Sequence, residues 1–160
     1  MTPETNQDFE DVVGALASEQ CEFLIVGAHA LAAHGAPRAT GDLDIFVRPT
    51  PENAARVFRA LSNFGAPLAA HGIAPEDFAT PGTVYQMGLP PRRIDLLTSL
   101  SGVTFEQAAT DVVVGRLGPH EVHCIGLDAM IQNKRASGRT KVLADAEILE
   151  ELRSRRPTAP

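Results

Sequence analysis

The sequence predicts an α+β domain in which helices pack on a small mixed sheet. Three observations carry that prediction. Segments with helical spacing of apolar residues alternate with short apolar runs of strand length. Two pairs of strand-like segments each flank a turn rich in Gly or Pro. The length, 160 residues at 44% hydrophobic, suits one domain with a substantial core.

Taken in order, residues 8–19 place Phe9, Val12, Val13, Leu16 and Ala17 on one helical face. Residues 22–26 (EFLIV) form a short apolar run, read as a buried strand and broken by Gly27. The Ala-rich stretch 28–34 predicts a short helix ended by Gly35. Residues 43–48 (LDIFVR) read as the next strand. Thr50, Pro51 and Glu52 make a helix start, with a capping hydroxyl, Pro at the first position and an acid in the first turn. That helix runs to Gly65. Residues 66–82, rich in Gly, Pro and Ala, are expected to be irregular.

Residues 83–88 and 92–98 look like paired strands around Leu89, Pro90 and Pro91. Thr104 is placed to cap a short helix, FEQAA. Residues 111–117 and 120–125 suggest a second strand pair across Gly118 and Pro119. A helix follows from Leu127 to Ser137 with Gly138 as its break, and a last helix spans about 142–152. The domain is thus expected to cover residues 1–152, with 153–160 a flexible tail.

Composition narrows the function classes. The core must be built mostly of Leu, Val, Ile and Ala, because there are seven Phe, one Tyr and no Trp. A formal charge of −6 argues against a broad basic surface for nucleic acid. Cys21 and Cys124 lack CxxC spacing and read as buried free thiols in a reducing cytoplasm. No apolar run approaches the roughly 18 residues a membrane span requires, and the acidic, polar N-terminus does not resemble a signal peptide. A cytoplasmic protein without membrane contact is expected.

The sharpest feature is Asp42-Leu43-Asp44 at the start of a strand. Side chains alternate in a strand, so both acids project to one side while Leu43, Ile45 and Val47 project to the other. Paired carboxylates repel and raise each other's pKa. A divalent cation between them relieves that repulsion, and Mg²⁺ suits one or two carboxylates plus substrate phosphates. The alternative is two solvated acids at a strand end. Asp95 is a lone acid in an otherwise apolar strand and needs a partner if buried. It either joins Asp42 and Asp44 as a third carboxylate or forms a salt bridge with Arg92 or Arg93. Three acids can hold two metal ions. The Val26-Gly27-Ala28 junction lets backbone approach a ligand closely and presents free helix N–H groups to an anion.

In this order the pieces resemble the nucleotidyltransferase superfamily, with its DNA-polymerase-beta-like fold. That pattern is a strand, a Gly-Gly or Gly-Ser turn, a helix, an Asp-x-Asp strand and a third acid on a later strand. The stretch GAHALAAHGAPRATGDLDIFV, with its Arg38-x-Thr40-x-Asp42 lead-in, is most similar to small bacterial members that include an abortive-infection-toxin-like group. DAMIQNKRASGRTKVLADAEIL resembles their closing helices, so the likeness spans residues 20–152.

The resemblance implies Mg²⁺-dependent transfer of a nucleoside monophosphate from an NTP to a hydroxyl, with release of pyrophosphate. Asp42 and Asp44 would bind the metals, two ions in all. Asp95 would complete the site and help activate the acceptor hydroxyl, and Gly27 and Ala28 would contact phosphate through their backbone. The second turn position is Ala28 rather than Gly or Ser, so a phosphate-binding hydroxyl is missing. The acceptor is left open between a protein, a tRNA and a small molecule, and an oligomer interface is one place for it. A toxin-type member would have an antitoxin partner.

Other polar residues are candidates of lesser weight. Arg38 and Thr40 lead into the acids, and Arg38 can pair with phosphate, pair with Asp42 or face solvent. Lys134, Arg135, Arg139 and Lys141 form a basic helical stretch. Lys134 is favoured to reach the triphosphate because it matches a lysine of similar proteins, the alternative being a solvated helix face. Asp145 is placed to orient Lys134 or Arg139. His29, His34, His71, His120 and His123 show no zinc spacing. Beside the enzyme stand two other classes: a nucleotide-binding module without turnover, and a plain structural domain with surface acids.

Overall fold

The computed structural model describes residues 6–36, 41–89, 92–138 and 140–155, with side chains from residue 147 onward in the last helix. The chain opens with α1 (Gln7–Ser18), capped by Asn6, whose side chain accepts from the Asp8 N–H at 2.7 Å. Helix α1 buries Phe9, Val12, Val13 and Leu16 as the periodicity requires, but Ala17 faces solvent. Strand β1 (Phe23–Val26) turns at Gly27 into α2 (Gly27–Ala33). Strand β2 (Leu43–Val47) leads to α3 (Pro51–Phe64), which starts at the Thr50 cap and ends at Gly65 with φ 105°.

The stretch expected to be irregular contains a 3₁₀ helix at Pro75–Ala79, held on α3 by the fully buried Phe78. Strands β3 (Val84–Met87) and β4 (Ile94–Leu97) pair antiparallel. Helix α4 (Phe105–Ala108) begins with a reciprocal cap in which Thr104 and Gln107 satisfy each other's backbone N–H. Strands β5 (Val113–Leu117) and β6 (His120–Cys124) form the second antiparallel pair. Helices α5 (Leu127–Ser137) and α6 (Thr140–Ser154) pack together at the end. Helix α6 continues past the expected boundary at residue 152. Arg153 is held there by Asp128 at 2.7 Å and Glu150 at 3.6 Å. Among the described residues no helix is long and apolar enough to cross a membrane.

The described strands make one mixed sheet in the order β3-β4-β2-β1-β6-β5. The β2–β4 and β1–β6 pairs are parallel and the others antiparallel. Residues paired across strands share a face, which sorts the two sides. Ile25, Ile45, Leu96 and Tyr85 lie in one cross-strand row and are all buried. On the other face Phe46 packs edge-on against Phe105 of α4, with ring centroids 5.2 Å apart. Asp44 belongs to this second face.

One buried polar residue ties a helix to the sheet margin. Asn53, in the first turn of α3, accepts from the Glu22 N–H at 2.7 Å. It donates to the carbonyls of Glu22 at 2.9 Å and Arg48 at 3.0 Å. Its amide is thus satisfied within the protein, as burial demands. The contact fixes where α3 leaves the end of β2.

A candidate acidic active site

The register of β2 and β4 brings the sequence-predicted acids together. Asp44 pairs directly with Asp95 across two parallel strands, so both carboxylates leave the sheet on one face. Asp42 stands just before β2. It accepts from the Arg93 backbone N–H at 2.8 Å, while Leu43 N–H donates to the Arg93 carbonyl at 2.8 Å. These two bonds bind the lead-in of β2 to the lead-in of β4. Asp42, Asp44 and Asp95 thereby share one corner of the sheet.

Burial and like charge act on that corner. Asp95 is 8% exposed and Asp44 is half-buried. Burial lifts the Asp44 carboxyl from its ordinary value to about 6. The neighbouring charges of Asp95 and Asp42 and a hydrogen bond with Asp95 add to the rise, and Arg93 opposes it. Asp44 therefore retains its proton above the usual carboxylate range.

Arg93 supplies the counter-charge. Its Nε donates to Asp95 Oδ1 at 2.7 Å and its Nη2 to Asp95 Oδ2 at 3.1 Å, a two-pronged contact. Nη2 also lies 3.4 Å from Asp42 Oδ2. The hydrogen bond to Asp95, foremost, raises the pKa of Arg93 further. The salt bridge weighed for Asp95 in the sequence thus forms with Arg93, and it coexists with the three-acid cluster.

Gly27 explains why a glycine ends β1. Its φ is +70°, and a Cβ built there would lie 2.3 Å from Asp44 Oδ2. The Asp44 carboxylate rests against the bare backbone of the turn. Helix α2 begins here with Val26 in the cap position and no side-chain cap. Its first N–H groups, those of Gly27 and Ala28 included, have no intrahelical acceptor.

His29 is part of the same corner, although the sequence offered no role for it. Burial lowers its pKa, against a hydrogen bond to the backbone of Gly41, the residue preceding Asp42. Its Nε2 is buried and has no hydrogen-bond partner among the described residues. Gln86 was also missed. It is exposed on β3 and pairs with Asp95, so the row Gln86, Asp95, Asp44 crosses three strands on one face. Strand alternation alone would have placed Gln86, once the β3–β4 register was known.

The remaining predicted residues belong to other elements or lie outside the described set. Lys134 is half-buried in the last turn of α5. The preceding residues of that helix, Gln132 and Asn133, donate to the carbonyls of Gly102 and Ser101, in the turn beyond the C-terminal end of β4. Arg135 pairs with Glu150 of α6. Arg38, Thr40 and Arg139 lie outside the described residues, as do the side chains of Lys141 and Asp145. His34 Nε2 meets the Ile125 carbonyl at 2.7 Å and is structural. Cys124 is buried, whereas Cys21 is only half-buried.

Hard carboxylate oxygens of this number suit Mg²⁺ chemically. Even so, among the described residues no three His, Cys, Asp or Glu side chains stand in a ready metal cage. Arg93 is ion-paired to two of the three acids, Asp42 and Asp95.

The sequence matches no family profile, and no curated protein matches it significantly. Comparison with solved structures finds a Thermotoga maritima protein described as a "putative nucleotidyltransferase". The superposition has a TM-score of 0.51 at 14% identity, covering 94% of this chain and 92% of that one. The fold is thus of the nucleotidyltransferase type: a mixed sheet flanked by helices, shared across nearly the whole chain. At that identity the likeness concerns the fold alone.

Proposed function

We propose that the corner formed by Asp42, Asp44 and Asp95 is a Mg²⁺-dependent nucleotidyl-transfer site. The observation that carries this reading is the direct cross-strand pairing of Asp44 with Asp95, with Asp42 bonded to the same strand lead-in. When bound, Mg²⁺ would supply charge neutralisation at the triphosphate and lower the pKa of the acceptor hydroxyl. Asp42 and Asp44 would hold it. Asp95 would complete the site and orient the acceptor hydroxyl. That hydroxyl forms a new P–O bond at the α-phosphorus of an NTP, the bond to pyrophosphate breaks, and a carboxylate accepts the hydroxyl proton. The backbone of Gly27 and Ala28 would face the phosphates.

A second reading keeps nucleotide binding without turnover. It is favoured by Ala28, which offers no hydroxyl where related turns carry Ser, and by the guanidinium lodged among the acids. Calorimetry with each of the four NTPs, with and without Mg²⁺, tests what the readings share. Mg²⁺-dependent binding that Asp44→Ala removes is expected, and no binding under any combination sinks both. Incubation with α-labelled NTPs and cell extract then separates them. A labelled acceptor supports the enzyme, and bound, unchanged NTP supports the module.

A further inference from the structure

The three acids repel one another, and one of the protein's own side chains supplies the counter-charge. Arg93 and Asp95 are two residues apart on one strand, so alternation points both to the same face. The guanidinium takes both oxygens of Asp95 and reaches Asp42 at 3.4 Å. The Arg93 backbone N–H takes the other Asp42 oxygen. Both oxygens of Asp95 and one oxygen of Asp42 therefore accept hydrogen bonds from one residue, and the other Asp42 oxygen forms an ion pair with it. A divalent cation seeking the same oxygens meets a positive charge at bonding distance. Sharing the site is costly, because like charges a few ångströms apart repel strongly in a partly buried setting.

We infer that Arg93 is a built-in counter-ion that holds the acids together without metal and must be displaced by an incoming divalent cation. The inference rests on the metal-binding reading above. Displacement is sterically open, since the Arg93 side chain is 27% exposed and Gln86, on the neighbouring edge strand, faces solvent. The arrangement sets a threshold for metal affinity.

The test uses the full chain, with Mn²⁺ alone as the probe. Calorimetry compares wild type, Arg93→Gln, Arg93→Lys and the exposed neighbour variant Arg92→Gln, and melting temperatures are recorded with and without saturating Mn²⁺. Arg93→Gln is expected to bind Mn²⁺ about tenfold tighter, roughly 1.4 kcal/mol. It should melt lower than wild type without metal at pH 8 and regain most of that loss with Mn²⁺. Arg93→Lys, which keeps the charge but loses the fork, should fall between. It carries the test if the glutamine variant fails to fold. Arg92→Gln should change neither quantity.

Equal or weaker Mn²⁺ binding by both Arg93 variants overturns the counter-ion inference. The metal reading survives that result if wild type binds Mn²⁺ and Asp44→Ala does not. Absence of Mn²⁺ binding in wild type and in every Arg93 variant overturns the metal reading, and this inference with it.

Discussion

Replacing Asp44 by Asn should stabilise the metal-free protein at alkaline pH and leave it unchanged in acid. The Asp44 carboxyl titrates near 6 in the fold, against 3.8 ordinarily. Below the ordinary value it is protonated both folded and unfolded, and contributes nothing. Between the two values the unfolded chain releases a proton that the fold keeps, so stability falls as pH rises. Above about 6 the folded protein bears the full penalty of an ionised Asp44 against buried like charge. A separation of about two pH units corresponds to about 3 kcal/mol, and partial solvent access trims this to about 1–3 kcal/mol. Asn has the same shape, never ionises, and can donate an N–H to Asp95.

Urea denaturation in EDTA at pH 4, 6 and 8 reads the effect. The variant midpoint should rise at pH 8 with an unchanged slope, and the difference should shrink to about 0.5 kcal/mol or less at pH 4. In thermal melts the gain at pH 8 should be about 3–10 °C for a chain of this length. A variant no more stable than wild type at pH 8, or equally stabilised at pH 4, would refute the electrostatic account of the acidic corner.

Three further predictions follow from neighbouring features. Gly27→Ala places a Cβ 2.3 Å from Asp44 Oδ2 on a backbone with φ +70°. It should cost about 2 kcal/mol or more in urea and weaken Mn²⁺ binding, since the displaced carboxylate is a proposed ligand. Asn53→Ala removes three hydrogen bonds between α3 and the sheet margin. A loss of about 2–4 kcal/mol is expected, and a loss below about 1 kcal/mol would show that the junction is held by packing instead. Burial pushes the thiols of Cys21 and Cys124 up to about 11. Thiol-disulfide reagents at pH 8 should therefore label both slowly in the native protein and rapidly in urea; fast native labelling of Cys124 would contradict its buried place.

Much of the fold was legible where the chain carries local signals. The Thr50, Pro51 and Glu52 start of α3 and its Gly65 stop are read from residues that interact with their own helix. The reciprocal Thr104 and Gln107 cap of α4 is equally local. Phe78 shows the limit. A single aromatic within a Pro- and Ala-rich stretch gives no periodicity, so the 3₁₀ helix it anchors is set by α3, more than ten residues away in sequence. Sheet order is likewise non-local, and nothing near Asp44 announces that its parallel neighbour begins at Ile94. Within the site, the acids were found because carboxylates in a strand are conspicuous. The choice between Arg92 and Arg93 was left open, although period two settles it: only Arg93 shares the face of Asp95. His29 and Gln86 escaped notice because their relevance exists only once Gly41 and Asp95 are brought beside them.

The position of β2 within the sheet bears on how this corner breathes. Asp44 belongs to an interior strand, bonded to β1 on one side and β4 on the other, whereas Gln86 belongs to an edge strand with one bonded neighbour. Amide exchange should therefore be slowest around Leu43–Val47 and faster along Val84–Met87. The strands that carry the acidic corner then differ in stiffness. The interior strand that presents Asp44 keeps its shape while β3, at the sheet edge, can fray and re-form without loosening that carboxylate.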